Sequence, residues 1–267
     1  MLVAAGIDCG TGFTKALVVG RSGPEAPLRV LGKGRVRSGV QVDEAAQSAL
    51  EIALGQAGLD REAVDYIACT GFGRYNVSFR DVAITEITAA ARGAFTIRNQ
   101  GGPVLDIGSQ CTRAIAVTSA GKVQAFKSND KCAAGSGTFI ARAAKYLGIT
   151  VEEVGELSLG ARNPQPISSI CAVLAESEII NHVSAGVSVE DILRGIHQSL
   201  ADRAGAMLRK VRSESPVLFI GGVAKQRGMT EELRRRLGVE VEVPHDCDFV
   251  CALGAAVLAL RRLAARN

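Results

Sequence analysis

The chain has 267 residues, 47% hydrophobic and 22% charged, which is enough to bury a sizeable core as one large domain or two lobes. Lys and Arg outnumber Asp and Glu by only 31 to 27, and aromatics make up 4% with no Trp, so a base-stacking nucleic-acid platform does not fit. No apolar run is long enough to span a bilayer, and the first residues carry no basic leader, so a cytoplasmic protein is expected.

The predicted elements alternate strands and helices. Residues 3–7, 14–19 and 28–32 read as strands, with a Gly/Pro-rich turn at 20–24. Residues 42–56 carry apolar residues at helical spacing, with Asp43 and Glu44 in the first turn. A short buried strand at 64–69 leads into the Gly71-Phe72-Gly73 loop, and 85–94 reads as a helix. A second, similar set follows: strands at 104–107, 114–118 and 123–127, then helices at 137–147, 151–157, 172–183 and 189–212. A strand at 217–220 ends in Gly221-Gly222; a helix near 229–237, a strand at 239–243 and a helix at 250–260 close the chain. The basic run Arg234–Arg236 reads as a solvated helix face, with a docking patch for an acidic partner as the alternative.

The plan is a duplicated β-β-β-α-β-α core in an α/β fold, and all-β or helical-bundle architectures fit it poorly. The expected division is a first lobe over 1–100, with the helix of 250–267 packing back on it, and a second lobe over 101–249, with a cleft between them.

Each half opens with a strand running into Asp-x-Gly. In the first, Gly10 and Gly12 let backbone N–H groups approach phosphate oxygens, Thr11 offers a hydroxyl, Lys15 a point charge, and Asp8 a carboxylate for Mg²⁺ and its waters. Taken alone this reads equally well as a plain turn. The second copy, Asp106-Ile107-Gly108-Ser109-Gln110, makes a two-sided grip on a triphosphate the better reading, and Gly221-Gly222 supplies a third loop for the nucleoside. Neither a P-loop motif nor a Rossmann glycine fingerprint is present. The order of the three loops resembles that of the actin/hexokinase/Hsp70 (ASKHA) superfamily of two-lobed ATPases.

Seven cysteines in such a chain favour metal or redox use over a disulfide framework. Cys132 and Cys171 each precede a helical stretch, where the positive end of the helix dipole stabilises thiolates. Two thiolates cannot complete a four-ligand site, but two chains giving two each can, in a symmetric dimer. Burial as small core residues is the competing reading. Cys9, Cys69 and Cys111 read as packing residues, and Cys247 with Cys251 as a buried helix entry. His182, His197 and His245 have no ligand spacing.

The stretch NDKCAAGSGTF at 129–139 closely resembles a signature of the activator ATPases of 2-hydroxyacyl-CoA dehydratases and of the benzoyl-CoA reductase ATPase subunits, the BadF/BadG/BcrA/BcrD type. Supporting matches are GIDCGT at 6–11, TGFGR at 70–74, TEI at 85–87, Cys171 with AES at 175–177, and GGVAK at 221–225, so the resemblance covers essentially the whole chain. It implies a homodimer, or a heterodimer with a paralogous subunit, holding one [4Fe-4S] cluster on Cys132 and Cys171 of both chains. It further implies ATP and Mg²⁺ as cofactors, a ferredoxin or flavodoxin as electron donor, and an acyl-CoA reductase or dehydratase as electron acceptor. ATP hydrolysis would drive the electron to a potential the donor alone does not reach. Gly135, Gly137 and Lys225 would join the nucleotide site. Either Glu86 or Glu176 would orient the attacking water, with helix-surface charge as the plain alternative.

The chain departs from the family pattern at Ser109, Cys111 and Arg113, where Gly, Asp and Lys are usual, and at Gln226, where Asn is frequent. Loss of the second carboxylate suits a divergent subunit and favours a benzoyl-CoA reductase ATPase subunit over a stand-alone activator. A small-molecule kinase or a chaperone-like ATP-binding module on the same superfold would leave Cys132 and Cys171 without a role.

Overall fold

The computed structural model describes residues 1–267 apart from 24–25, 130–135, 169–171, 212–215 and 266–267. Cys132, Cys171 and Gly135 therefore lie outside the described residues. The chain divides into two compact units, one of residues 1–101, 119–123 and 249–267, the other of 102–118 and 124–248.

In the first unit a five-stranded sheet runs in the order β3-β2-β1-β4-β5, with β1 at Leu2–Cys9, β2 at Phe13–Arg21, β3 at Arg29–Arg37, β4 at Tyr66–Thr70 and β5 at Val82–Ala83. The strands β1, β2 and β3 form an antiparallel meander, while β4 joins β1 in parallel. Alternate residues of β1 face opposite ways. Val3, Ala5, Ile7 and Cys9 enter a core shared with residues of α1 (Val42–Ala57), whereas Ala4 enters one shared with residues of α8 (Val250–Ala264). Burial on both faces is why β1 is an unbroken apolar run rather than an alternating one. A side chain at Gly6 would overlap the backbone of Ala252 and Ala256, so α8 rests directly on the strand that ends at Asp8 and Cys9. The helix α2 (Glu86–Arg98) packs against α8 and starts at an N-cap, Thr85, whose Oγ1 accepts the Thr88 N–H at 3.3 Å.

The second unit repeats the plan. Its sheet runs β10-β9-β6-β7-β8, with β6 at Gly102–Ile107, β7 at Thr112–Val117, β8 at Val123–Asn129, β9 at Val217–Ile220 and β10 at Val241–Glu242. Here β6 and β7 are an antiparallel hairpin and β9 lies parallel to β6. The helices are α3 (Gly137–Tyr146), α4 (Val151–Leu157), α5 (Ala172–Ser184), α6 (Val189–Lys210) and α7 (Arg227–Leu237). Their apolar faces meet in one core that includes Leu105, Ile107, Phe139, Ile179, Ile192, Ile196 and Phe219. The α4 start is a capping box, with the Glu153 carboxylate accepting the Thr150 hydroxyl at 2.7 Å and the Thr150 N–H at 2.8 Å, which hold that carboxyl below its ordinary range.

The differences from the sequence-based elements are local. The strand expected at 28–32 runs on to Arg37, and β5 has no counterpart in the sequence pattern. Arg234, Arg235 and Arg236 sit half-exposed on α7, in ion pairs with Glu231, Glu232 and Asp202. No helix among the described residues is long and apolar enough to cross a membrane.

Candidate functional site

The two hairpins are built alike. In the first, the β1/β2 register sets Asp8 directly opposite Lys15, and Lys15 Nζ reaches Asp8 Oδ2 at 2.8 Å with both side chains about nine-tenths buried. In the second, the β6/β7 register sets Asp106 opposite Arg113, whose Nη1 reaches Asp106 Oδ2 at 3.0 Å. In both, the cation follows the carboxylate by seven residues. Each buried aspartate is thus paired with a cation across its own hairpin.

The next parallel strand closes each aspartate from the side. Gly71, after β4, has φ +88°, and a side chain there would meet Cys9 O at 2.5 Å and Asp8 Oδ1 at 2.7 Å. Gly221, after β9, has φ +91°, and a side chain there would overlap Ile107 O and meet Asp106 Oδ1 at 2.6 Å. Both the left-handed backbone and the close approach require glycine. The Gly221-Gly222 motif is therefore matched in the first unit by Gly71, a correspondence absent from the sequence-based reading.

The turn at 10–12 is braced by Ser38, which donates its hydroxyl to Gly10 O at 2.5 Å and its N–H to Gly12 O at 3.2 Å. Thr11, in the same turn, is partly exposed. Nearby, Glu86 in the first turn of α2 pairs with Arg74 at 2.9 Å, and Arg74 also donates to Gly71 O at 2.9 Å. The carboxylate expected to orient water is thus tied to the Gly71 loop.

In the second unit the turn at 108–110 is bound to the start of α3. The Gly137 N–H donates to Gly108 O at 2.9 Å, and Thr138 donates its N–H and its hydroxyl to Ser109 O at 2.7 and 2.6 Å. A side chain at Gly137 would press on Val223 of the third loop at 3.1 Å. Gln110 is exposed, and Cys111 is partly exposed at the turn rather than packed. The third loop, Gly221-Gly222, continues into a short 3-10 turn ending at Lys225, whose Nζ meets Asp248 Oδ2 at 2.7 Å. Beside it opens a cavity of about 740 Å³ lined by Ala224, Lys225, Thr230, Arg234, Pro244 and His245. Cys247 borders it as a buried thiol, pushed up to about 11 by burial and by Asp248.

The structure thus gathers Asp8, Gly10, Thr11, Gly12, Lys15 and Glu86 in one unit, and Asp106, Gly108, Ser109, Gln110, Gly137, Gly221, Gly222 and Lys225 in the other. Cys9 and Cys69 are buried together, with the Cys9 thiol pushed up by its hydrogen bond to Cys69 and by burial. Such thiols are packing groups rather than ligands. Among the described residues no group of His, Cys, Asp or Glu could hold a metal ion. Sequence reasoning missed Ser38, Asp248 and Thr138, whose roles follow from contacts distant along the chain.

The chain is similar to known proteins. The chain is 38% identical over 265 residues to a benzoyl-CoA reductase subunit of Thauera aromatica, covering 96% of this chain and 93% of that one. It is 34% identical over 254 residues to the 2-hydroxyisocaproyl-CoA dehydratase activator of Clostridioides difficile, covering 95% and 93%. A solved structure of the activator of the 2-hydroxyisocaproyl-CoA dehydratase from Clostridium difficile with bound ADPNP superposes with a TM-score of 0.92 at 32% identity, covering 99% of this chain and 97% of that one. A glucokinase from Streptomyces griseus at 17% identity and a TM-score of 0.59 shares the fold alone, which places the architecture in the actin/hexokinase class. With its residues 5–259 matching the family model, the chain belongs to the BadF/BadG/BcrA/BcrD ATPase family.

Proposed function

We propose that this protein is an ATP-driven electron-transfer subunit: a dimer with one bridging [4Fe-4S] cluster that passes electrons from a ferredoxin or flavodoxin to an acyl-CoA enzyme. The observation that carries the nucleotide half is the repeated hairpin, a buried Asp paired with a cation across the turn and roofed by a positive-φ glycine. In this reading Asp8 and Asp106 organise Mg²⁺ and its waters. The turns at 10–12 and 108–110 give backbone N–H groups to the phosphates, and Lys15 and Arg113 hold the two carboxylates in place. Gly221, Gly222 and Lys225 border the nucleoside. Water attacks the γ-phosphorus, the bond to the bridging oxygen breaks, and ADP and phosphate leave. Glu86 orients that water once Arg74 yields it.

Cys132 and Cys171 supply the thiolates. Two per chain are half of the four that a [4Fe-4S] cluster takes, so the donor chemistry calls for two chains. Bound there, the cluster supplies a one-electron store at low potential. A second chain is also favoured by α5, which begins at the residue after Cys171 and leaves Val173, Leu174, Ile180 and Val183 from 48% to 67% exposed.

The partner enzyme is a benzoyl-CoA reductase in the first reading, favoured by the 38% identity to the Thauera aromatica reductase polypeptide and by Cys111 in place of a second carboxylate. A stand-alone activator of a 2-hydroxyacyl-CoA dehydratase is the second reading, favoured by the TM-score of 0.92 to such an activator. Steady-state ATP hydrolysis by Asp8→Asn and Asp106→Asn tests the nucleotide site. Each is expected to lower kcat by about 100-fold or more while ADPNP still binds. Wild-type turnover in both variants would overturn the assignment.

A further inference from the structure

The two hairpins share their aspartate, its cation and the roofing glycine, but differ in the residue that lies beside the aspartate. In the first unit the parallel β1/β4 register sets Thr70 beside Asp8. In the second the β6/β9 register sets Ile220 beside Asp106. Both residues are wholly enclosed. Ile220 suits such a place, being apolar throughout. Thr70 brings a hydroxyl to the same depth, and its Oγ1 has no hydrogen-bond partner among the described residues. Burying a hydroxyl unpaired is costly, and Val would fill the same space without that cost. Register partners on parallel strands share one face of the sheet at a spacing of about 4.8 Å, so Thr70 and Asp8 are side-chain neighbours. Lys15 holds Asp8 Oδ2 at 2.8 Å. Asp8 Oδ1 lies toward the end of β4, 2.7 Å from where a side chain at Gly71 would begin.

We infer that Thr70 is a positioning residue for ATP hydrolysis: with Mg²⁺ and nucleotide bound, its hydroxyl donates to Asp8 Oδ1. Lys15 and Thr70 then fix the carboxylate at both oxygens, and its plane no longer rotates under the metal's waters. Hydrogen bonds of this kind commonly close only in the loaded site. Rotation about the Thr70 Cα–Cβ bond is the movement required. Thr70 touches neither phosphate nor metal in this account and acts through Asp8. Ile220 offers Asp106 no such hydroxyl, so the two hairpins, alike in plan, are unequal in how they hold their aspartates. The inference rests on the proposed nucleotide site and adds to it a residue outside the phosphate turns.

The test compares Thr70→Val, which keeps the shape and removes the hydroxyl, with Thr70→Ser, which restores it, in the anaerobically purified full chain. Steady-state ATP hydrolysis is titrated with Mg²⁺, calorimetry measures ADPNP binding, and urea unfolding measures stability. Thr70→Val is expected to lower kcat about 10-fold or more and to need several-fold more Mg²⁺ for half its maximal rate. It should bind ADPNP within about threefold of wild type and unfold at no lower urea concentration, since it loses an unpaired hydroxyl. Thr70→Ser should return kcat to within about threefold of wild type. Unchanged kcat and Mg²⁺ dependence in Thr70→Val, or a Thr70→Ser variant as slow as Thr70→Val, overturns the positioning role alone. So does a Thr70→Val chain that unfolds at a markedly lower urea concentration, because the hydroxyl would then serve the fold itself. Wild-type turnover in Asp8→Asn overturns the nucleotide site and this inference with it.

Discussion

His197 is wholly buried on α6, with Nε2 at 3.0 Å from Gln226 Oε1 and no hydrogen-bond partner for Nδ1. Burial lowers its pKa from 6.5 to about 4, against the opposing pull of the Gln226 bond. The folded state therefore binds the proton less well than the unfolded chain does. The stability from neutral His197 is present in full above pH 6.5 and is lost as pH falls from 6.5 toward 4. At pH 4.5 the loss is about 2.5 kcal/mol, on the order of two pKa units of linkage. Urea titrations at pH 7.5 and 4.5 should show His197→Gln with an acid loss smaller by about that amount. Equal acid losses in variant and wild type would contradict it. Gln226 closes this contact: its Oε1 faces His197, and its Nε2 donates to Val151 O at 3.4 Å. Sequence spacing gave His197 no ligand role, and its partner Gln226 is 29 residues away, beyond what local pattern records.

Elements with a strong local signal were legible. The apolar spacing of α1, with acidic residues in its first turn and Gly58 just past its end, is a local signal, and so is the Thr150-to-Glu153 capping box that starts α4. Elements defined by neighbours were not. Two-residue β5 exists because it pairs with β4 at Ala68 and Cys69, and β3 extends to Arg37 because β2 supplies partners from Phe13 onward. The crossing of α2 and α8 is another tertiary feature. A side chain at Gly254 would overlap the Ala89 carbonyl, and one at Gly93 would overlap that of Val250. Each helix presents a glycine to the other's backbone, so their axes come closer than alanines allow. Gly254→Val should force the helices apart and cost about 3 kcal/mol, read as a lowered urea midpoint at unchanged m. A cost below about 1 kcal/mol would mean that the crossing adapts freely.

At the scale of the whole molecule, the duplication was readable because both copies announce themselves with Asp-x-Gly after an apolar strand. The matching of Gly71 with Gly221, and of the Lys15 and Arg113 pairs, was hidden because it depends on cross-strand register. Arg113 reads in sequence as a departure from the usual Lys, yet in the fold it performs for Asp106 what Lys15 performs for Asp8. Cys132 and Cys171 lie outside the described residues, so the proposed cluster rests on sequence resemblance and family membership, and the proposed second chain also on the apolar exposure of α5. Native mass spectrometry of the anaerobically purified protein tests it most directly, since one spectrum reports the number of chains and the inorganic content together. The account predicts a dimer carrying the added mass of about four irons and four sulfides, lost in both Cys132→Ala and Cys171→Ala. An iron-free wild-type dimer, or an iron centre held by a single chain, would contradict it.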